Sequence, residues 1–211
     1  VTNNYGQLDV PPGLDRVVAV ACGDYHNLAL RDDGRVIAWG WNLGGQTNVP
    51  PEASNLIAVA AGRVHSLALR ADGTVVGWGR SPESTPPAGL SNVMAIAAGY
   101  GHGLALLSNG TVRGWGTGIT VPTSLSNVVA IAGGGDHSLA LKNDGTVVAW
   151  GGVNQFGQTT VPAGLSNVMA VAAGSRTSLA LKSDGTVVGW GAAGATPPPD
   201  LSNVVAIATG T

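Results

Sequence analysis

The sequence predicts an all-β fold: a β-propeller of short, mostly three-stranded blades. Three observations predict it. Trp-Gly pairs recur at Trp39, Trp78, Trp115, Trp150 and Trp190, spaced 39, 37, 35 and 40 residues apart, and periods of roughly 35–45 residues fit propeller blades. A turn pair precedes each of them, at Asp33-Gly34, Asp72-Gly73, Asn109-Gly110, Asp144-Gly145 and Asp184-Gly185. Each unit also opens with a small-residue apolar run, and such a sheet buries both faces only by stacking on its neighbours around an axis.

The first strand of each unit is read at Val17–Cys22, Leu56–Ala61, Val93–Ala98, Val128–Ala132, Val168–Ala173 and Val204–Ala208. These runs are apolar at successive positions and rich in Ala, which predicts strands buried on both faces. The second and third strands are the arms of a hairpin, as in Leu139-Ala140-Leu141 and Thr146–Trp150. Asp-Gly between such arms predicts a two-residue turn with positive φ at its centre. Connections of two kinds follow Trp-Gly. Long ones carry Asn-x-x-Gly-Gln, at Asn3–Gln7, Asn42–Gln46 and Asn154–Gln158; short ones are Pro- or Gly-rich, at Arg80–Pro87, Thr117–Pro122 and Ala192–Pro199. No composition shift interrupts the repeat, so residues 1–211 read as one propeller domain with an incomplete repeat at both ends. Five full units and a fragmentary sixth suggest part of a six- or seven-bladed ring. An unpaired edge strand invites pairing, so completion of the open blade by another chain or segment is expected.

Composition narrows the function. Net charge is −2 and Lys and Arg form no cluster, which argues against a nucleic-acid partner. No apolar run approaches the length of a membrane span, and Val1–Gln7 has no signal-peptide pattern. Cys22 is the one cysteine; its apolar run predicts a buried free thiol.

The pattern Val-Val-Ala-Ile-Ala-x-Gly, x-His-Ser-Leu-Ala-Leu, Asp-Gly-Thr-Val-x-x-Trp-Gly and Gly-Gln-x-x-Val-Pro resembles the regulator-of-chromosome-condensation repeat in its short bacterial form. Within that family it resembles above all the propeller-type β-lactamase inhibitory proteins, whose blades are also short and three-stranded. Five copies span essentially the whole chain. The resemblance implies a propeller, and a place among nucleotide exchange factors, enzyme inhibitors and interaction scaffolds. Exchange on chromatin would require a partner-specific insertion and a basic surface, neither of which the sequence contains.

Topology places the Gly-x-x-His loops and the starts of the post-Trp connections on one face, and the Asp-Gly turns on the other. Side chains vary on the first face while the scaffold repeats, as in a rigid frame displaying binding loops. The candidate binding residues are Asp24, Tyr25, Trp41, Arg63, Val64, Tyr100, Asp136, Phe156 and Arg176. Trp41 has no equivalent in other units and stands out as an aromatic anchor. Tyr5 and Phe156 precede Gly-Gln and are read as pins for the long connections. The five Trp of Trp-Gly are read as packing between blades.

His26, His65, His102 and His137 share one repeat position, taken by Thr177 in the fifth unit. Because Thr is a poor zinc ligand, a structural hydrogen bond from each His to the loop backbone is expected, and no metal or cofactor is assigned. No catalytic set emerges: Asp136, His137 and Ser138 are consecutive and alternate between strand faces, so they cannot form a triad. The expected function is a non-enzymatic protein-interaction or scaffold module with a protein partner. The alternatives are a β-lactamase-inhibitor-like protein or a structural repeat segment of a larger bacterial surface protein. The expected location is extracellular, secreted or at a bacterial cell surface.

Overall fold

Each repeat folds into one antiparallel sheet whose strands follow chain order. The computed structural model describes residues 3–192 and 195–210; Val1 and Thr2 of the first connection, Ala193 and Gly194 of the last, and Thr211 lie outside them. Blade 1 is β1 (Val17–Cys22), β2 (His26–Arg31) and β3 (Val36–Gly40). Blade 2 is β4 (Leu56–Ala61), β5 (His65–Arg70) and β6 (Val75–Gly79), and blade 3 is β7 (Val93–Ala98), β8 (His102–Leu107) and β9 (Val112–Gly116). Blade 4 is β10 (Val128–Gly133), β11 (His137–Lys142) and β12 (Val147–Gly151). Blade 5 is β13 (Val168–Ala173), β14 (Thr177–Lys182) and β15 (Val187–Gly191). The expected three-stranded blades therefore form, with β10 one residue longer than predicted.

The hairpin turns are three residues long rather than two. Gly145 N donates to Lys142 O at 3.0 Å and Lys142 N to Thr146 O at 2.9 Å. Only the Gly is left-handed, with φ 78° at Gly145. The Asp side chain decides this. Asp144 Oδ1 accepts from Thr146 N at 3.0 Å and from Thr146 Oγ1 at 2.6 Å, and Asp72, Asn109 and Asp184 bond the following Thr in the same way. That ties the Asp into a type I turn and leaves the left-handed step to Gly. The Thr146 hydroxyl, with its backbone N–H and Lys142, holds the Asp144 carboxyl down to about 2.

The first strands are not buried on both faces. Leu56, Val93, Val128 and Val168 are buried, but Ile57, Met94, Val129 and Met169, each the next residue, are 51–58 % exposed. A β-bulge causes this. The preceding Asn55, Asn92, Asn127 and Asn167 are left-handed (φ 53–58°), and the register then slips by one residue, leaving the second position unpaired. An unpaired bulge residue turns out of the sheet. Met94 and Val129 emerge beside Asn109 and Gly110, on the turn face.

Successive blades pack first strand to first strand, β1 on β4, β4 on β7, β7 on β10 and β10 on β13. At each junction the later blade inserts one Ala from its second strand and one Trp from its third. Ala68 and Trp78 pack with Leu28, Leu30 and Leu56, and Ala105 and Trp115 with Leu67, Leu69 and Val93. Ala140 and Trp150 pack with Leu104, Leu106 and Val128, and Ala180 and Trp190 with Leu139, Leu141 and Val168. A buried Trp removes about 150–250 Å² from water, which at about 25 cal/mol per Å² is roughly 4–6 kcal/mol per junction. The Trp residues are thus packing between blades, as expected. Trp39 is only half-buried, because no blade among the described residues packs against it from before blade 1.

The same lack of a neighbour uncovers β1. Val17 is 37 % exposed where its equivalents are almost fully buried, and Cys22 is an exposed thiol rather than a buried one. At the other end of the arc, residues 204–210 take the path of a first strand. Asn203 is left-handed (φ 56°), and Val204 N bonds Gly185 O at 3.1 Å, as Val168 N bonds Gly145 O. The expected strand Val204–Ala208 pairs with no strand among the described residues and is therefore not a strand there.

Candidate functional site: the loop face

In blades 1, 2, 3 and 5 the loop before the His position and the connection after Trp-Gly are bonded side by side. Trp41 N donates to Tyr25 O at 2.8 Å, Arg80 N to Val64 O at 2.9 Å, Thr117 N to Gly101 O at 2.7 Å and Ala192 N to Arg176 O at 2.9 Å. The two sets of loops therefore share one face.

Beneath that face a buried polar relay links the blades. His26 Nε2 lies 3.0 Å from Ser66 Oγ in the next blade, Ser66 Oγ donates to Gln46 O at 2.8 Å, and Trp78 Nε1 donates to the same carbonyl at 2.8 Å. His137, Ser178, Gln158 and Trp190 repeat the arrangement. The Ser proton is committed to the Gln carbonyl, so His Nε2 carries the proton donated to Ser Oγ. His102 reaches Ser138 in the same way at 3.0 Å. His26, His102 and His137 thus bond the next blade's hydroxyl rather than their own loop backbone, which corrects the expected partner. Burial pushes the imidazoles of His26, His65, His102 and His137 down to about 4, so they are neutral struts near pH 7. His65 is the exception, since Gly103 stands where the next blade's Ser should be. Neither of its ring nitrogens meets a partner among the described residues, and the Trp115 indole fills the space beside Gly103.

The Asn-x-x-Gly-Gln motif presents the relay's carbonyl. Asn42 Oδ1 accepts from Thr47 N at 2.9 Å and Gln46 Oε1 from Gly44 N at 2.9 Å; Asn3 and Gln7, and Asn154 and Gln158, do likewise. The loop is closed by its own side chains, leaving the Gln carbonyl free to face the Trp and Ser.

Above the relay the variable side chains fall into two groups. Tyr5, Tyr25 and Trp41 form an aromatic cluster with ring centroids 5.4–6.1 Å apart. Tyr5 is 48 % and Tyr25 43 % exposed, while Trp41 is half-buried against them. The second group lines a cavity of ≈ 280 Å³ that includes Tyr100, Asp136, Phe156, Ser175 and Arg176. The Arg176 guanidinium lies 4.5 Å from the Phe156 ring centre, close enough for cation–π attraction. A thread of contacts crosses the face between the groups. Asp24 pairs with Arg63 at 3.5 Å, Arg63 lies 5.9 Å from the Tyr100 ring centre, and Tyr100 donates to Ser175 Oγ at 2.9 Å, joining blades 3 and 5.

Of the predicted binding residues, Asp24, Tyr25, Trp41, Arg63, Tyr100, Asp136, Phe156 and Arg176 lie on this face. Val64 lies in one of its loops but is buried at 8 % exposure, so its side chain is not an exposed contact. It packs against Gly44, in the place where Tyr5 packs on Tyr25 and Phe156 on Arg176. Tyr5 was underweighted by the sequence: it pins its connection and also forms a third of the aromatic cluster. Its spacing to Gly-Gln, shared with Phe156, was the available signal. Among the described residues no three His, Cys, Asp or Glu converge as a metal site.

The profile of the "Regulator of chromosome condensation (RCC1) repeat" matches residues 17–46, 56–83, 94–118, 128–158 and 169–193. Protein pim1 of Schizosaccharomyces pombe is 51 % identical over 41 residues, covering 18 % of this chain and 7 % of that protein. Among solved structures, the ectodomain of the Physcomitrella patens receptor kinase CR4 superposes with a TM-score of 0.79 at 25 % identity, over 99 % of this chain and 60 % of that one. Prp20p of Saccharomyces cerevisiae, whose binding to Gsp1p and histones has been studied, superposes with a TM-score of 0.73 at 25 % identity, over 90 % and 61 %. The chain thus spans about three fifths of the length of these two structures. With five repeat matches covering most of its length, each coinciding with one blade, the chain belongs to the regulator of chromosome condensation (RCC1) repeat family.

Proposed function

We propose that this chain is a non-enzymatic protein-binding module that presents its loop face to a protein partner. The carrying observation is the half-exposed cluster of Tyr5, Tyr25 and Trp41, held on a frame whose loops are closed by their own hydrogen bonds. Aromatic anchors with little rotamer freedom are what protein interfaces concentrate at hot spots, and a pre-ordered frame lowers the ordering cost of binding. The net charge of −2 favours a protein over a nucleic acid as partner. Yeast RCC1 (Prp20), a structural relative, has been solved bound to Kap60, which supports a propeller of this kind as a docking platform. The reading extends to an extracellular or bacterial cell-surface setting. Affinity capture with the purified chain tests it: a specifically retained protein is lost with Tyr25→Ala/Trp41→Ala and kept with the turn-face variant Thr146→Ala. Equal retention by all three forms refutes the assignment.

A second reading, inhibition of a β-lactamase, is favoured by one observation. The connections bring Tyr5, Trp41 and Phe156 to the face that Tyr25 and Tyr100 already occupy. Titration of a class A β-lactamase should then show saturable inhibition that weakens at least tenfold with Tyr25→Ala; no inhibition at micromolar protein rejects this reading.

A further inference from the structure

We propose that the loop-face cavity beside Tyr100, Phe156 and Arg176 is a receptor for an acidic side chain, aspartate or glutamate, of the protein partner. The inference rests on the loop-face reading and deepens it. Every wall of the ≈ 280 Å³ cavity comes from blades 3, 4 and 5 and the connection between blades 4 and 5. Its donors are consecutive residues. Tyr100 donates to Ser175 Oγ at 2.9 Å, which leaves the Ser175 hydroxyl proton for an acceptor in the cavity. Arg176 follows, its guanidinium over the Phe156 ring at 4.5 Å from the centre. That contact occupies one side of the guanidinium and leaves in-plane N–H groups, the ones that grip a carboxylate, to an acceptor.

The chain itself shows what completes such an arginine. On the same face Arg63 lies 5.9 Å from the Tyr100 ring centre and pairs with Asp24 at 3.5 Å, so it has a ring and a carboxylate. Arg176 has the ring, at closer range, and no carboxylate. The ion pairs among the described residues engage Arg16, Arg31, Arg63, Lys142 and Lys182, and none engages Arg176. Asp136, the one acid on the cavity lining, forms no ion pair either. Its exposed charge opposes an incoming anion, so a ligand of one negative charge suits the cavity, and neutralising Asp136 should strengthen binding. The missing member is thus a single carboxylate from outside the chain. The Tyr100–Ser175 bond already fixes the wall between blades 3 and 5, which lowers the ordering cost of receiving it.

The test follows the arginine side-chain N–H resonances of the whole chain while the blocked peptide acetyl-Gly-Glu-Gly-amide, or its Gln version, is added at physiological salt. An exposed ion pair contributes little by itself, so this single-residue probe should bind in the millimolar range. The expected result is a saturable shift of the Arg176 signal, with affinity about fivefold or more weaker for the Gln peptide. Binding should be lost with Arg176→Gln, weaken about threefold with Ser175→Ala and strengthen about twofold with Asp136→Asn, all with unchanged circular dichroism. Equal response to the two peptides, no saturable shift, or binding indifferent to Ser175→Ala overturns the proposal. So does a signal from Arg80, exposed on the same face, that shifts as much as that of Arg176, since the attraction would then be unspecific. The loop-face reading is tested separately, by the capture with Tyr25→Ala/Trp41→Ala. Loss of retention there, with no preference between the peptides, rejects the acidic-residue receptor alone; equal retention by all forms rejects the loop face itself.

Discussion

Lowering the pH from 7.5 to 4.5 should unfold this protein, and the four relay histidines are the reason. Burial holds His26, His65, His102 and His137 at about 4, from an ordinary 6.5. In the unfolded chain each binds a proton below about 6.5; in the folded chain none does until about 4. Stability is then fully present above pH 7 and is lost as the pH falls from 6.5 to 4, because the unfolded state takes up the protons. At about 1.4 kcal/mol per pH unit, a displacement of about 2.5 units is ~3 kcal/mol per histidine. Four such groups reach ~12 kcal/mol, comparable to the whole stability of a typical domain, about 5–15 kcal/mol. Urea unfolding followed by tryptophan fluorescence at pH 7.5, 6.5, 5.5 and 5.0 reads this directly, as a midpoint that falls steadily below pH 6.5. His65→Leu isolates one contribution, since it removes a titrating ring without breaking a hydrogen bond, and should flatten the dependence by about a quarter. A midpoint independent of pH between 7.5 and 5.0 would refute the reasoning.

Four further substitutions probe the repeat, one of them a surface control. Ser66→Ala takes the partner from His26 Nε2 and should cost about 1–3 kcal/mol by leaving a buried donor unpaired, whereas Ser91→Ala, at an exposed position, should cost little; chemical denaturation compares them. Gly103→Ser restores the hydroxyl that His65 lacks, yet its Cβ collides with the Trp115 indole, so the expected result is a loss of about 1–3 kcal/mol from overpacking rather than a gain. Arg16 is left-handed (φ 54°) where the other repeats have Asn, the residue that tolerates that conformation; Arg16→Asn should stabilise by about 0.5–1 kcal/mol, relief of part of the left-handed strain, visible as a raised thermal midpoint.

Much of the architecture was legible because repetition multiplies weak local signals. One Asp-Gly is a turn hint; four of them and one Asn-Gly, each followed by Trp-Gly at the same interval, fix the blade and the strand order. The same reasoning placed Tyr25, Trp41, Tyr100 and Arg176 on one face, since strand direction alone sorts loops between faces. It stopped at contacts made between repeats. Nothing local to His65 shows that its partner is residue 103, one blade on, or that this residue is a glycine. Nothing near Val64 shows that its side chain is buried, and nothing near Cys22 shows that its thiol is exposed. The bulge that turns Ile57 and Met94 outward was also hidden, because an apolar residue in an apolar run reads as core until the register is known.

Thus the sequence alone determined the blade, its strands, the packing role of its tryptophans and the face on which variation gathers. All of these follow from backbone preference and periodicity, which act over a few residues. Only the tertiary structure decided the histidine–serine relay, the meeting of Tyr5, Tyr25 and Trp41, and the bulge that turns Ile57 and Met94 outward. The bulge depends on strand register. The other two depend on which side chains of different repeats come within about 3–6 Å of each other, and that distance is set by how the sheets stack around the axis.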